Sequence, residues 1–290
     1  MSIVDERTLI SAGALHAALG EADLRIFDCT VHLVPDPPRP YRIESGRESW
    51  LAERLPDAAF LDLTGPLSDP DAATAFTMPD PAAAARAFGE AGVVDGARIV
   101  LYAGNHPMWA TRVWWMLHSL GVEAAVLDGG LAAWRAAGLP LASGPCEHPA
   151  GALTVTPRPG AWADRDAVLG AIGDGEVCTV NALSPSMYRG DGDRHYGRPG
   201  HIAGSVNLPY AALFADDAQR YADAETLRGH FDAIGAFDRR VIAYCGGGIS
   251  ATCDAFALKR LGHDAVAVYD GSMSEWVADP ALPMTVGAEP

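Results

Sequence analysis

Cys245 opens the run Cys245-Gly246-Gly247-Gly248-Ile249-Ser250-Ala251, directly after an apolar stretch at 241–244. Three successive glycines give up more backbone entropy on folding than other residues would, so the run implies a tight loop. A pattern of helical period follows, which gathers the loop amides at the positive end of a helix dipole. Such a cradle beside a cysteine favours the thiolate, the nucleophilic form of sulfur. Cys245 is therefore the candidate nucleophile, with Gly246, Gly247, Gly248, Ile249 and Ser250 as its anion-holding loop. A cysteine phosphatase needs a forked cation six positions after its nucleophile to grip the phosphoryl group. That position is Ala251, and residues 245–251 hold no cation, which excludes phosphatase chemistry.

The elements that position this loop occur twice. Arg98, Tyr102, Ala103, Gly104, Ala110, Thr111, Leu120, Gly121, Asp128, Gly129 and Trp134 are matched by Arg240, Tyr244, Cys245, Gly246, Ala251, Thr252, Leu261, Gly262, Asp270, Gly271 and Trp276. Arginine and tryptophan lie 36 residues apart in both copies, and Phe88, Gly92 and Asp95 match Phe231, Gly235 and Asp238. Repeats of about 140 residues suit two domains rather than a solenoid, whose units run to about 20–50. Only the second copy can do thiol chemistry, because the first has Ala103 in the cysteine's place.

Within each copy, 99–102 and 241–244 read as strands buried on both faces. Helical periodicity over 109–120 and 249–261 ends at Gly121 and Gly262, and 124–127 and 265–269 return to strand. Strand, helix and strand at this spacing predict parallel pairing through right-handed crossovers. Cys245 then sits at the C-terminal end of a parallel strand, where α/β sheets bind ligands. Asp128 and Asp270, each before a glycine at a helix start, read as N-caps. Trp114 and Trp115 read as helix core, and His106 and Trp109 as packing near the degenerate loop of the first copy.

Charge and cysteine usage narrow the partners. With 37 acidic and 21 basic residues the formal charge is −16, a field that repels nucleic acid and anionic membranes. An anionic substrate would need local arginines. No apolar run approaches the ~18 residues of a membrane span, and charged residues interrupt the N-terminal stretch, so the expectation is a cytoplasmic protein. The five cysteines, Cys29, Cys146, Cys178, Cys245 and Cys253, form no Cys-x-x-Cys pair, which argues against a disulfide framework or a zinc site. Cys253 lies two helical turns beyond Cys245, about 11 Å, too far for a disulfide.

These residues resemble the two-domain rhodanese family of sulfurtransferases, across essentially the whole chain. Gly200-His201-Ile202-Ala203-Gly204-Ser205 is similar to that family's Gly-His-Ile-Pro-Gly-Ala segment, and 269–276 to its C-terminal signature, with Met273 where tryptophan is usual. Arg112-Val113-Trp114-Trp115 and 127–131 are similar to its non-catalytic domain. The resemblance implies an α/β fold of two tandem rhodanese-like domains, each a mostly parallel sheet flanked by helices. The expected division is a non-catalytic domain at 1–143, a linker at 144–158 and a catalytic domain at 159–290. It further implies a ping-pong cycle. Cys245 takes sulfur from a small anionic donor, becomes a persulfide, and passes the sulfur to cyanide, a thiol or a thioredoxin-like acceptor. The amides of Gly246, Gly247, Gly248 and Ile249 would hold the persulfide anion, with no metal or organic cofactor.

The donor is expected to be thiosulfate, with 3-mercaptopyruvate as the alternative and loading by a protein partner, as a sulfur-relay or sensing module, as a third reading. Both specialist patterns are incomplete. Gly246 and Gly247 stand where thiosulfate members carry basic residues, and Gly247 replaces the serine of mercaptopyruvate members. Residues 76–79 lack the histidine those members bring from the first domain. Of the family's two donor-binding arginines, one falls on Met187 and the other on Arg194. Arg189 is a second candidate and Arg198 a neighbour able to compensate. His201 is expected to fix a turn.

Overall fold

Strand alternation decides which way the cysteine loop faces. In the computed structural model, which describes residues 7–36, 39–192 and 195–290, the predicted strands are the centres of two five-stranded parallel sheets. The first sheet takes β1 (Leu9–Ile10), β2 (Leu24–Asp28), β5 (Ala58–Phe60), β6 (Arg98–Tyr102) and β7 (Ala125–Leu127) in the order β1-β7-β6-β2-β5. An antiparallel hairpin, β3 (Val31–Asp36) with β4 (Arg39–Ser45), stands apart from it.

The second sheet takes β8 (Trp162–Ala163), β9 (Val177–Asn181), β11 (Val206–Asn207), β12 (Arg240–Tyr244) and β13 (Val266–Tyr269) in the order β8-β13-β12-β9-β11. The small antiparallel pair β10 (His201–Ile202) and β14 (Met284–Thr285) closes its end. The two orders are the same topology, as a duplication requires.

Successive side chains on a strand point to opposite faces. On β6 and β12, Val100, Tyr102, Ile242 and Tyr244 join the outer cores of their own halves. Ile99, Leu101, Val241 and Ala243 face inward, into one apolar core shared by both halves, and the same alternation carries Ala103 and Cys245 there. The thiol therefore faces the other domain because of its parity on β12.

The predicted helices, Pro107–Ser119 and Ala251–Arg260, fill the space between the sheets and pack on each other. Trp109, Trp115 and Phe256 are fully buried there. The hydroxyls of the repeat-equivalent residues Thr111 and Thr252 meet at 2.8 Å, which puts an internal pseudo-twofold axis between them. Residues 144–158 carry neither helix nor strand. They lie along the first half through Gly151 N–H to Gly89 O, Thr156 N–H to Leu120 O and Arg158 N–H to Ser119 O. Among the described residues no helix is long and apolar enough to cross a membrane.

Asp128 and Asp270 do not cap helices, contrary to expectation. The capping positions fall on Gly129 and Gly271, and neither offers a side chain. Instead Asp128 accepts the N–H of Tyr221 at 2.9 Å, and Asp270 accepts the N–H of Met78 at 2.8 Å. Tyr221 and Met78 each lie two residues before a capping aspartate, Asp223 and Asp80, so they are repeat equivalents. The two halves thus exchange the same contact in both directions, the reciprocal pairing that a twofold interface demands.

Candidate active site

Cys245 follows β12 and is 2% exposed. Its loop is held from outside by its carbonyls. Cys245 O accepts the N–H of Met273 at 3.1 Å, and Gly246 O accepts both the N–H of Ser274 at 2.8 Å and its hydroxyl at 2.7 Å. Gly248 O accepts from the Arg112 guanidinium at 3.1 Å. In a planar trans peptide the N–H points opposite to the C=O. Clamping the carbonyls of 245, 246 and 248 therefore turns the N–H groups of Gly246, Gly247 and Ile249 the other way. Among the described residues no group accepts from the N–H of Gly246, Gly247, Ile249 or Ser250. Those four amides are free for an anion.

Gly248 departs from the expected cradle. Its N–H donates to Ser272 Oγ at 3.0 Å, as does the N–H of Cys245 at 3.1 Å, and the Ser272 hydroxyl donates to Tyr269 O at 2.7 Å. Gly248 adopts φ +70°, and a Cβ there would meet Asp270 O at 2.6 Å, so glycine serves the turn and the close approach. Ser272 itself sits at φ +48°, a strained conformation for a non-glycine residue that persists because its hydroxyl ties three backbone groups.

The first half reaches this loop through Arg112, which is 0% exposed. Besides Gly248 O it donates to Phe76 O and pairs with Asp270 at 2.6 Å, and its guanidinium lies 4.6 Å from the Trp162 ring centre. In the repeat Arg112 is the counterpart of Cys253. The copy that carries Ala103 thus lends a cation to the loop of the copy that carries Cys245.

Three tyrosines lie within electrostatic range of the thiol. The Tyr196 hydroxyl lies so close to Gly246 that a Cβ there would overlap it. Tyr41, from the β4 strand of the first half, is hydrogen-bonded to Tyr196 and feels the charge of Cys245, as does Tyr210 from the second half. Burial pushes all three phenols above their ordinary range, so each remains protonated. His106 packs across the interface on Tyr210, with ring centres 5.0 Å apart. Its Nδ1 accepts the N–H of Met108, and burial lowers its pKa to about 4, which leaves it neutral.

The remaining sequence candidates separate. Arg189 ends the Pro185–Arg189 helix, half-exposed, and pairs with Asp191 at 2.6 Å. Arg198 donates to the carbonyls of Asp279 and Leu282 and so ties down the C-terminal segment. Arg194 lies outside the described residues. His201 is buried, stacks on Tyr188 at 3.7 Å and bridges the carbonyls of Tyr188 and Glu289, the turn-fixing role expected of it. Cys253 is fully buried and burial raises its pKa strongly, so it packs as an inert thiol. A groove of about 800 Å³ runs elsewhere, past Leu63, Pro70, Phe76 and Arg86, and does not include Cys245.

Comparison with known proteins agrees with this architecture. The family model described as a rhodanese-like domain matches residues 189–279. A probable 3-mercaptopyruvate sulfurtransferase of Pseudomonas aeruginosa is 32% identical over 286 residues, covering 96% of this chain and 98% of that protein. The chain belongs to the rhodanese family of sulfurtransferases. A putative thiosulfate sulfurtransferase, SseB of Mycobacterium tuberculosis, is also 32% identical, over 83% of this chain and 86% of its own. The crystal structure of SseA from Escherichia coli, a 3-mercaptopyruvate sulfotransferase of rhodanese fold, superposes with a TM-score of 0.80 at 27% identity. That match covers 91% of this chain and 98% of SseA.

For this rhodanese, the sequence singled out the Cys245 loop as the candidate site but not what braces it. Ser272 and Ser274 lie inside the signature at 269–276, and Arg112 inside the Arg-Val-Trp-Trp motif, so the motifs marked their neighbourhoods without their roles. Tyr41, Tyr196 and Tyr210 carry no local signal at all.

Proposed function

We propose that this rhodanese moves sulfane sulfur from a small anionic donor to a thiophilic acceptor through a persulfide on Cys245, with 3-mercaptopyruvate as principal donor. The observation that carries the reading is a buried thiol beside four amides that no group among the described residues occupies. The Cys245 thiolate attacks the donor's outer sulfur, the bond from that sulfur to the rest of the donor breaks, and the persulfide anion settles among the amides of Gly246, Gly247, Ile249 and Ser250. Cyanide, a thiol or a thioredoxin-like protein then attacks the outer sulfur and restores the thiolate. Sulfur is itself the carried group, so no cofactor enters the cycle.

Two features favour 3-mercaptopyruvate over thiosulfate. The loop offers neutral amides and phenols, which suit a singly charged keto acid better than a dianion, and the only cation that reaches it among the described residues, Arg112, is already paired. The names of the relatives from Pseudomonas aeruginosa and Escherichia coli point the same way. Thiosulfate remains the second donor, in line with the SseB relative. Arg194 is proposed to meet the donor carboxylate, and Arg189 to join it by exchanging Asp191 for substrate. We assign residues 1–143 to the non-catalytic domain, 144–158 to the linker and 159–290 to the catalytic domain. The five free thiols suit the cytoplasm.

Intact-mass spectrometry after brief exposure to 3-mercaptopyruvate, or separately to thiosulfate, tests the reading. The expected result is gain of one sulfur atom, discharged by cyanide and absent from Cys245→Ser, faster with 3-mercaptopyruvate. No gain from either donor in folded, reduced protein refutes it and leaves only loading by a protein partner.

A further inference from the structure

Breaking the C–S bond of 3-mercaptopyruvate sets a requirement that sulfur transfer from thiosulfate does not. The electron pair of the broken bond passes into the keto group as an enolate, and the methyl group of pyruvate forms only when that enolate gains a proton. Thiosulfate releases sulfite, which needs none. The site must therefore hold a proton donor beside the sulfur.

Few groups qualify among the described residues. The Ser274 hydroxyl is committed to Gly246 O and that of Ser272 to Tyr269 O. Arg112 is permanently charged and faces Gly248 O and Asp270. His106 is a neutral imidazole whose Nδ1 is an acceptor for Met108 and whose ring lies against Tyr210. Ser250 has only the weak acidity of an alcohol, well below that of a phenol. The group placed on the residue next to the nucleophile is Tyr196, whose hydroxyl fills the space a side chain at 246 would need. Tyr41, brought by the hairpin of the other half, stands beside it. Gly246 thus has two uses: it contributes a free amide, and it leaves room for the phenol.

We propose that Tyr196 is the proton donor to the departing pyruvate enolate, with Tyr41 as the hydrogen-bonding partner that orients its hydroxyl. This rests on the sulfurtransferase reading above. The Cys245 thiolate bonds to the donor sulfur, which still carries its proton, while the C–S pair moves onto the keto carbon skeleton. Tyr196 gives its proton to the enolate carbon, and pyruvate leaves. The phenolate then takes the S–H proton of the persulfide, leaving Cys245–S–S⁻ among the loop amides. Thiolate and 3-mercaptopyruvate become persulfide anion and pyruvate, with no net proton gained or lost and no external oxidant or reductant.

The test is the rate of Cys245 loading in a single turnover, read by intact mass, for native protein, Tyr196→Phe and Tyr41→Phe with each donor in turn. A positioned proton donor contributes about 10²-fold or more. Tyr196→Phe is expected to slow loading from 3-mercaptopyruvate by about 10²-fold while thiosulfate loading changes less than about threefold. Tyr41→Phe, which leaves the donor in place, is expected to slow 3-mercaptopyruvate loading about fivefold, the equivalent of one hydrogen bond. An unchanged rate of Cys245 alkylation by iodoacetamide shows that the loop is intact in both. Native-like loading of Tyr196→Phe from 3-mercaptopyruvate overturns the proposal, and so does an equal loss with both donors, which marks a packing or anion-holding role. Native protein that loads from neither donor refutes the sulfurtransferase reading as well, a result distinct from either.

Discussion

Replacing Arg112 by methionine tests whether the copy that carries Ala103 braces the loop of the copy that carries Cys245. The substitution keeps an unbranched apolar stem and removes the guanidinium. Three things are lost at once: the donor to Gly248 O at 3.1 Å, the donor to Phe76 O, and the 2.6 Å pair with Asp270. Removing one partner of a buried ion pair costs about 3–5 kcal/mol, because the other charge stays behind. Asp270 retains the Met78 N–H and its side chain is 17% exposed, which places Arg112→Met near ~3 kcal/mol. Asp270→Asn strands a guanidinium with no exposure at all, so it belongs nearer ~5 kcal/mol.

The double variant Arg112→Met/Asp270→Asn leaves neither charge unpaired and recovers a coupling energy of about 2 kcal/mol against the sum of the singles. Denaturant unfolding of the four proteins measures the cycle. The loop supplies a second readout. Without the guanidinium nothing fixes the Gly248 carbonyl, and the Ile249 N–H loses its direction. Alkylation of Cys245 by iodoacetamide at neutral pH is expected to slow about tenfold in both Arg112→Met and the double variant, since a charge-assisted hydrogen bond contributes about 1.5–3 kcal/mol. A cycle that is additive within ~0.5 kcal/mol, or alkylation at the native rate, refutes the bracing argument.

Asp254 gives a pH-dependent prediction. It is fully buried, neither carboxyl oxygen has a hydrogen-bond partner among the described residues, and burial holds its pKa well above the ordinary 3.8. The unfolded chain ionises Asp254 above that value while the folded chain keeps it protonated, so its effect is least unfavourable below pH 4 and stability falls as pH rises toward the folded pKa. Asp254→Asn is expected to raise unfolding stability by a few kcal/mol at pH 7 and by less at pH 5. Equal gains at the two values would show that the carboxyl is not held neutral. Ser272→Ala strands the N–H groups of Cys245 and Gly248, each at a cost of about 1–3 kcal/mol, and frees the loop. The expected result is a lower thermal midpoint together with slower Cys245 loading, and a variant that loads at the native rate would remove Ser272 from the account.

The central strands and the duplication were legible locally. The strands ending at Tyr102 and Tyr244 announce themselves because both faces of a central parallel strand are buried, which leaves an uninterrupted apolar run. The duplication was equally plain, and the two sheet orders are identical. Asp128 and Asp270 misled because an aspartate before a glycine at a helix start has the local signature of a cap. Their actual partners, Tyr221 and Met78, lie 93 and 192 residues away and leave no trace in the neighbouring sequence. Of the cradle of three glycyl amides and one isoleucyl amide, Gly248 drops out, because Ser272 claims its N–H from 24 residues further along.

The sequence alone determined the α/β class, the duplication and the place of Cys245 at the head of a glycine loop after a central strand, because each depends on residues adjacent in the chain. Only the tertiary structure decided which amides stay free, that Arg112 reaches Gly248 across 136 residues, and that the Tyr196 phenol lies against Gly246. Those outcomes depend on how two sheets meet across a pseudo-twofold axis. The parity of β12 turns Cys245 toward that axis, and the packing of both halves around it settles what the thiol finds there.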